Sequence, residues 1–336
     1  MSDVARLAGV GTMTVSRVLS GAVRVSAEST QRVQSAIEKL QYRPNVLARA
    51  FRGQSSHSIG LILPYLYDPF FSTSAHAVTS VAREHGYSVI ISTSDEDPNT
   101  EFAETDQMLQ RHVDGVLVIP ARCNDSRLTR ALFGKTPVVA FDRPLPDLSI
   151  DSVLVQNAIG TRRMVEHLIE HGHKRIAYIG LSRSLYTINK RFLGYRRAMQ
   201  DAGFATDAAF DCMSDEIAFE VLKTKLHGND APTAILTSNT LVTRYVLSAI
   251  SRLNLRVPND LAFAGFDDFD LARFTAPPLT VVRQAAQEVG RVAASLLFDR
   301  IERGETPHTG QKVVLPVEIV LRRSCGCKHR SPVVIQ

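Results

Sequence analysis

The stretch Ser2-Asp3-Val4-Ala5-Arg6-Leu7-Ala8-Gly9-Val10-Gly11-Thr12-Met13-Thr14-Val15-Ser16-Arg17-Val18-Leu19 carries two short helices joined by a glycine-containing turn. Ser2 is placed to cap the first helix, which Gly9 ends after Ala8. The second runs Thr12–Leu19, with Gly21 in its exit turn. Ser26 is a good N-cap for a third helix, and Glu28 sits in its first turn, where the helix dipole favours an acid. On that helix Val33, Ala36, Ile37 and Leu40 recur at i, i+3, i+4, i+7. Val4, Leu7, Val15 and Val18 offer matching apolar faces. The pattern predicts a helix-turn-helix with a closing helix, and it leaves Thr12, Met13, Ser16 and Arg17 on the outer side of the second helix.

Charge singles out the same region. Residues 1–57 hold eight Lys and Arg against three acids, a net +5, and the whole chain is also +5. The remaining residues therefore cancel, 31 basic against 31 acidic. A small basic head on a neutral body is the electrostatic footprint of a polyanion binder. At 336 residues and 44% hydrophobic, the chain is long enough for two or three domains with ample core. No apolar run approaches a membrane span or a signal peptide, and four cysteines are too few for a disulfide scaffold, which points to the cytoplasm.

Beyond Ser58, short apolar strands alternate with helices. Strands are expected at Ile59–Leu63, Tyr87–Ile91, Val116–Ile119 and Val138–Phe141, with helices near Phe71–Glu84, Glu101–Arg111 and Ser126–Leu132. A second series has strands Ile176–Ile179, Ala234–Leu236 and Leu261–Phe266. Its helices are Ile159–Glu170, Arg191–Ala202, Asp215–Leu226 and Leu241–Leu253. A long helix Ala286–Ile301 and strands Val313–Leu315 and Glu318–Leu321 follow. Two such series predict an α/β fold of two lobes, each a parallel sheet flanked by helices, with ligands at the strands' carboxyl ends in the cleft between lobes.

Several motifs suggest other chemistry and fail on inspection. Gly9-Val10-Gly11 follows no strand and lacks the third glycine of a dinucleotide loop. Gly134-Lys135-Thr136 lacks the first glycine of a phosphate loop, and Gly180-Leu181-Ser182 lacks the closing glycine of a nucleophile elbow. No cofactor and no enzymatic activity are expected. Cys325-Gly326-Cys327 with His329 has no second Cys/His pair near it in sequence, so no metal site is expected either.

The blocks Asp3-Val4-Ala5, Ala8-Gly9-Val10, Thr14-Val15-Ser16-Arg17-Val18-Leu19, Val25-Ser26 and Tyr42-Arg43-Pro44-Asn45 closely resemble, in order and spacing, the head of the LacI/GalR family of bacterial repressors. Ile59-Gly60-Leu61-Ile62, Pro69-Phe70-Phe71, Val113-Asp114-Gly115, Gly172-His173 and Gly265-Phe266-Asp267-Asp268 extend the resemblance through a periplasmic-binding-protein-like core. The resemblance implies a head at 1–43, a hinge at 44–57, a core at 58–330 and a tail at 331–336. The core lobes would be roughly 58–156 with part of 285–318, and 157–284 with the C-terminal strand. It further implies base reading by Thr12, Met13 and Arg17, with Thr14, Ser16, Arg24, Asn45, Ala48, Arg49 and Arg52 completing the DNA contact. The hinge helix would order on DNA and insert Phe51 as a wedge in the minor groove. Phe70, Phe71, Asp142, Thr187, Arg191, Thr240 and Asp267 would contact a small-molecule effector, by family default a sugar or sugar derivative. The partner implied is a pseudo-palindromic double-stranded operator, bound by a homodimer.

There are departures. Gly11 stands where the family usually has a phosphate-contacting serine, and Ser20 where asparagine is usual. Thr240 and Gln156 replace common acids, and Leu185 occupies a position that is arginine in the purine-sensing branch.

With all excess charge in the head, DNA affinity should fall steeply with salt, with a log–log slope of about −0.9 for each phosphate neutralised. Fluorescence anisotropy on a palindromic duplex across a salt series measures it; a slope near zero would contradict the head's role.

Overall fold

A computed structural model of the chain describes residues 1–19, 25–42, 55–122, 126–147, 149–304, 309–327 and 333–335. It divides into two compact units, residues 1–56 and 57–336. Gly21, Arg24 and the expected hinge residues Asn45, Ala48, Arg49, Phe51 and Arg52 lie outside the described residues.

The first unit holds helices α1 (Ser2–Ala8), α2 (Thr12–Leu19) and α3 (Ala27–Lys39). Gly9 closes α1 in the left-handed region at φ 66°, a conformation glycine adopts without strain. Ser26 caps α3, its hydroxyl accepting from the Ser29 amide. Ser2 departs from expectation, because it is the first helical residue and Met1 precedes the helix without a side-chain cap. The core is Val4, Ala5, Ala8, Val15, Val33 and Ala36, with Val18 and Ile37 packed at its edge. Leu7 and Leu40 are exposed instead. On α1 the inward face runs through Val4, Ala5 and Ala8, which turns Leu7 outward. Leu40 is the C-cap of α3, already past its last packed turn.

The second unit contains two parallel-rich sheets. The first has strands β1 (Ser58–Leu63), β2 (Ser88–Thr93), β3 (Gly115–Val118), β4 (Val138–Phe141), β5 (Asp151–Val155) and β11 (Lys312–Leu315), in the order β11-β5-β4-β3-β1-β2. The second has β6 (Ile176–Ile179), β7 (Asp207–Ala209), β8 (Ala234–Thr237), β9 (Ala262–Phe266), β10 (Thr280–Gln284), β12 (Val317–Leu321) and β13 (Val333–Ile335). Its order is β13-β12-β10-β9-β8-β6-β7. Read inward from the β2 and β7 edges, both lobes wind identically: β2-β1-β3-β4-β5 in one, β7-β6-β8-β9-β10 in the other. Helices α4 (Pro69–Glu84), α5 (Pro98–Gln110) and α6 (Arg130–Phe133) belong to the first series. The second series has α7 (Asn157–Glu170), α8 (Tyr186–Asp201), α9 (Asp215–Lys225) and α10 (Thr240–Arg252). The chain then returns to pack α11 (Ala286–Arg303) against α4 and the first sheet.

Three differences from the sequence expectation have local causes. The helix expected over Ser126–Leu132 is only Arg130–Phe133, because the Ser126 hydroxyl accepts from the Leu128 amide and so favours a turn there. Strand β5 opens on a buried acid, Asp151, which is tolerated because Arg300 grips it at 2.7 and 3.1 Å and the Gln311 amide donates to it. Strand β10 ends in Arg283 and Gln284, polar residues that mask its Thr-Val-Val start. Buried strands read as apolar runs only where no such partner compensates a polar residue.

The lobes are joined by three crossings, at 155–157, 284–286 and 315–317, and the Gln156 amide donates to the Leu315 carbonyl across two of them. In each lobe a glycine lets two helix backbones touch. A Cβ at Gly194 of α8 would lie 2.2 Å from the Ala158 carbonyl oxygen of α7, and one at Gly290 of α11 would lie 2.3 Å from the Ser74 carbonyl oxygen of α4. Gly194→Ala must push α7 and α8 apart, so it should lower unfolding free energy by about 1–3 kcal/mol. Urea unfolding checks this: the midpoint falls while the slope is unchanged.

Candidate functional site

The outer face of α2 is the first candidate. Val15 is fully buried and fixes the helix against the small core, so the residues either side of it turn outward. Thr12, Met13 and Arg17 are exposed; Thr14 and Ser16 are half-buried. Met13 is the most open of the large apolar residues here, at 69%. An exposed guanidinium suits guanine O6/N7 and an exposed thioether suits a thymine methyl. Gly11, at the entrance to α2, has nothing within 4 Å of where a Cβ would stand.

The second candidate is the cleft, built from the carboxyl ends of strands in both lobes. The first lobe brings Tyr65 and Asp68 after β1, Phe70 and Phe71 at the start of α4, Glu96 after β2, and Asp142 and Arg143 after β4. The second brings Leu181, Leu185, Thr187, Ile188 and Arg191 from the end of β6 and α8, Asn239 after β8, Asp267 after β9 and Gln284 at the end of β10. The enclosed cavity is about 30 Å³, room for one or two waters. Beside it lies a recess of about 620 Å³ that shares Tyr65, Glu96, Leu181 and Leu185 and adds Tyr67, Arg122, Ser182 and Tyr245.

Arg191 is the centre of the cleft. Its Nε donates to Asn157 Oδ1 at 2.7 Å, and Nη1 donates to the Ser238 carbonyl at 2.7 Å. Nη1 also lies 3.6 Å from Asp267 Oδ2, and the guanidinium stacks 3.7 Å over the Phe266 ring. Asp267 in turn accepts from Gln284 Nε2. The equivalent position of the first lobe is Asp142, after the topologically matching strand. Both aspartates adopt positive φ, 61° and 80°, and each donates its amide to the next strand, to Val153 and Val282 respectively. Asp is among the residues that tolerate this conformation, and the turn aims each carboxylate into the cleft. Arg143 is committed elsewhere: it makes a two-pronged bridge to Glu96 at 2.6 and 2.7 Å and donates to the carbonyls of Pro120 and Ala121.

The aromatic residues form a corner. Phe70 and Phe71 are 5.6 Å apart edge to face, and Tyr65 meets Phe71 at 5.2 Å. Thr187 is buried and lines the cavity. Thr240 is buried one residue past Asn239, and its hydroxyl makes no hydrogen bond among the described residues. Asn239 rather than Thr240 lines the cavity, while also capping α10 through the Val242 amide.

Carboxylates outnumber the cations. Burial pushes Asp68 up to about 7, helped by the negative charge of Asp267 across the cleft. Burial likewise raises Asp142 to about 6, against the pull of Arg143 and Arg191. The acid side therefore has spare acceptor capacity and a standing cost of desolvation and like-charge repulsion. The sequence reading missed Asp68, Glu96, Arg143, Asn157, Asn239 and Gln284. Asp68 and Asn239 are detectable as helix caps, Asp68 before Pro69 and Asn239 before Thr240. Nothing local marks Gln284 or Glu96.

The head matches the profile of bacterial regulatory proteins of the lacI family over residues 1–45, and residues 165–325 match a periplasmic-binding-protein-like domain. The "HTH-type transcriptional repressor PurR" of Mannheimia succiniciproducens is 30% identical over 96% of this chain and 98% of its own length. The protein of the same name from Actinobacillus pleuropneumoniae is 32% identical over 96% and 97%. The chain belongs to the LacI family. It is a ligand-responsive, DNA-binding transcriptional regulator with an α/β core. Among solved structures it is similar to the lac repressor dimer bound to operator and the anti-inducer ONPF, with a TM-score of 0.83 at 27% identity, covering 96% and 98% of the two chains. It is also similar to a complex of the transcriptional regulator CelR with cellobiose, with a TM-score of 0.72 at 28% identity and the same coverage. A putative ribose operon repressor from Burkholderia thailandensis gives 0.70 at 32%, covering 79% and 98%. No helix among the described residues is long and apolar enough to cross a membrane.

The raised Asp68 carboxyl gives a pH prediction. Its folded-state value, about 7, lies above the ordinary 3.8, so the folded protein holds the proton more tightly. Its contribution to stability is present at low pH and is lost as pH rises toward about 7. Asp68→Asn keeps an acceptor for the Phe70 amide, which Asp68 now binds at 2.9 Å. The variant should show a shallower fall in melting temperature between pH 5 and 7.5 and be the more stable protein above pH 7. Equal slopes in both proteins would refute the assignment.

Proposed function

We propose that the cleft takes a neutral, polyhydroxylated, sugar-like effector, and that its occupancy sets the affinity of a homodimer for a pseudo-palindromic operator. The observation that carries the reading is the excess of buried carboxylate: Asp68, Asp142 and Asp267 face one cavity with a single guanidinium, Arg191, not already consumed by a two-pronged bridge. Hydroxyls donate to carboxylates and accept from a guanidinium, and the Tyr65–Phe70–Phe71 corner supplies an apolar wall for a ring face. The CelR–cellobiose complex supports the same class of ligand. A purine reading follows from the relatives named PurR. It is disfavoured by Leu185, an apolar wall residue at the position that is arginine in the purine-sensing branch.

In the head, Thr12, Met13 and Arg17 read bases and Thr14 and Ser16 support them. Arg24, Asn45, Ala48, Arg49 and Arg52 make the remaining contacts, with Phe51 as the minor-groove wedge. The protein works in the cytoplasm and catalyses no reaction. One head offers a small surface, so pairing two on neighbouring half-sites supplies the specificity.

Thermal shift against monosaccharides, disaccharides, sugar phosphates and purines, followed by gel shift with a selected operator, tests the ligand class. A response to a purine base alone would overturn the sugar-like reading. Asp267→Ala removes an acceptor and leaves Arg191 short of a partner, so effector affinity should fall by about 2–4 kcal/mol, and with the repulsion from Asp68 gone the effector should move operator affinity less. Calorimetry with the effector found in the panel measures the first and gel shift the second; a wild-type response would remove Asp267 from the site.

A further inference from the structure

The fold assembles a cluster of soft donor atoms far from the cleft. His167 and His171 lie one turn apart at the end of α7, and Cys325 and Cys327 lie in the segment that follows β12. His167 Nε2 is 2.9 Å from Cys327 Sγ, and His171 Nε2 is 3.4 Å from the same sulfur. The three atoms lie within 4.8 Å of one another. Cys325 Sγ is 2.7 Å from Cys327 Sγ. The segments that meet are 156 residues apart in sequence, counted from His171 to Cys327. The expectation of no metal site weighed only partners near Cys325 in sequence; α7 supplies the missing histidine pair through the fold.

From this we propose that the chain carries a Cys2His2 metal site for zinc(II), formed by His167, His171, Cys325 and Cys327. Thiolate and imidazole together select zinc-like ions over magnesium or calcium. Two histidines at i and i+4 share one helix face, the H-x3-H arrangement of many zinc sites. Zinc bonds of about 2.3 Å to sulfur and 2.0–2.1 Å to nitrogen place neighbouring ligands of a tetrahedron about 3.3–3.8 Å apart. The distances from Cys327 Sγ to the two histidine nitrogens, 2.9 and 3.4 Å, are close to that spacing, and the two nitrogens lie within 4.8 Å of each other. The Cys325 and Cys327 sulfurs, 2.7 Å apart, would have to open by about 1 Å through side-chain torsion for both to join a tetrahedron.

The surroundings orient the donors as a metal site requires. His171 Nδ1 lies 2.8 Å from the His167 carbonyl oxygen, so the hydrogen sits on Nδ1 and the lone pair on Nε2 faces the cysteines. The Thr280 hydroxyl donates to Cys325 Sγ at 3.2 Å. Gly326 takes φ 84°, a left-handed turn that lets both flanking sulfurs face one point. Cys325, Cys327 and His167 are buried whereas His171 is exposed, which gives an ion a way in. A bound ion would tie the C-terminal segment to α7, the helix whose first residue, Asn157, holds Arg191. Closing so long a loop is where such a clip gains most.

The full-length protein, purified under reducing conditions and dialysed against metal-free buffer, should retain one zinc per chain by elemental analysis. Stripping it with a chelator should lower the melting temperature, and zinc should restore it. Cobalt(II) loaded in place of zinc should give thiolate-to-cobalt charge-transfer absorption and the visible bands of a tetrahedral site. Cys327→Ser should at least halve the charge-transfer band, since one of the two thiolates is lost. Should that variant not fold, His171→Gln alters only an exposed ligand and should weaken cobalt binding at least about tenfold. Several results would overturn the site: no stoichiometric zinc together with no cobalt absorption in reduced protein, spectra unaffected by either substitution, or a Cys325–Cys327 disulfide that persists under those reducing conditions.

Discussion

The buried guanidinium of Arg191 is the constraint around which the core is arranged. A cation taken out of water costs several kcal/mol unless its donors are met, and here the contacts come from α7 and from the ends of two strands, β8 and β9. Asn157 begins α7 and lies in the first crossing between lobes; Ser238 follows β8; Asp267 follows β9; Phe266 supplies the ring beneath. Gln284, which holds Asp267, lies at the second crossing. The two residues that fix the charged pair therefore sit on the segments about which the lobes must turn. A ligand that competes for the bonds of Arg191 or Asp267 acts next to the segments that join the lobes.

The twofold likeness of the lobes explains why the cleft is acidic. Each lobe winds its first five strands in one order, so the turn after the fourth falls at the same place in both. Each has an aspartate there in the left-handed conformation, Asp142 and Asp267. The glycine contacts repeat as well: Gly194 on Ala158 and Gly290 on Ser74 set close helix pairs on the two sheets. What differs is the neighbour each aspartate receives. Asp142 has Arg143 at 3.4 Å, but that arginine is engaged by Glu96 and two carbonyls. Asp267 has Arg191 and Gln284. A shared backbone device thus presents two carboxylates with unequal compensation, and the less compensated side has room for donors from a ligand.

How much of this was legible in the sequence depends on how local each signal is. The head was readable because its signals are short-range: Ser26 before α3, Gly9 after α1, and the Val33–Ala36–Ile37 stripe. Leu7 misled because its apolar character fits a face that the smaller Val4, Ala5 and Ala8 already fill. In the core, apolar strands such as Val138–Phe141 and Ile176–Ile179 stand out, while β5 and β10 hide behind Asp151 and Arg283, whose partners Arg300, Gln311 and Glu318 lie far along the chain. The cleft followed the same rule. Arg191 and Asp267 were reachable through the family resemblance and Asp68 and Asn239 through their capping positions, but Gln284 and Glu96 acquire meaning only once the sheets are assembled. His167 and His171 are the extreme case, since each is an ordinary helical histidine until the fold carries Cys327 to it.

The same electrostatics gives the switch a physical origin. Asp68 belongs to the first lobe and Asp267 to the second, and the charge of Asp267 raises the cost of charging Asp68. Closure therefore brings like charges together in a place where burial has already removed the water that would screen them. A proton relieves part of that cost, and so does a ligand that donates hydrogen bonds to both carboxylates at once. Such a ligand binds the closed arrangement better than the open one, and only that difference in binding free energy can shift the lobes. A ligand of equal total affinity that engaged one lobe alone would leave the equilibrium where it was. Typical couplings of this kind are about 1–3 kcal/mol, comparable to one or two well-made hydrogen bonds to a charged group. The pairing of Asp68 with Asp267 across the gap is therefore enough to make lobe closure conditional on what fills it.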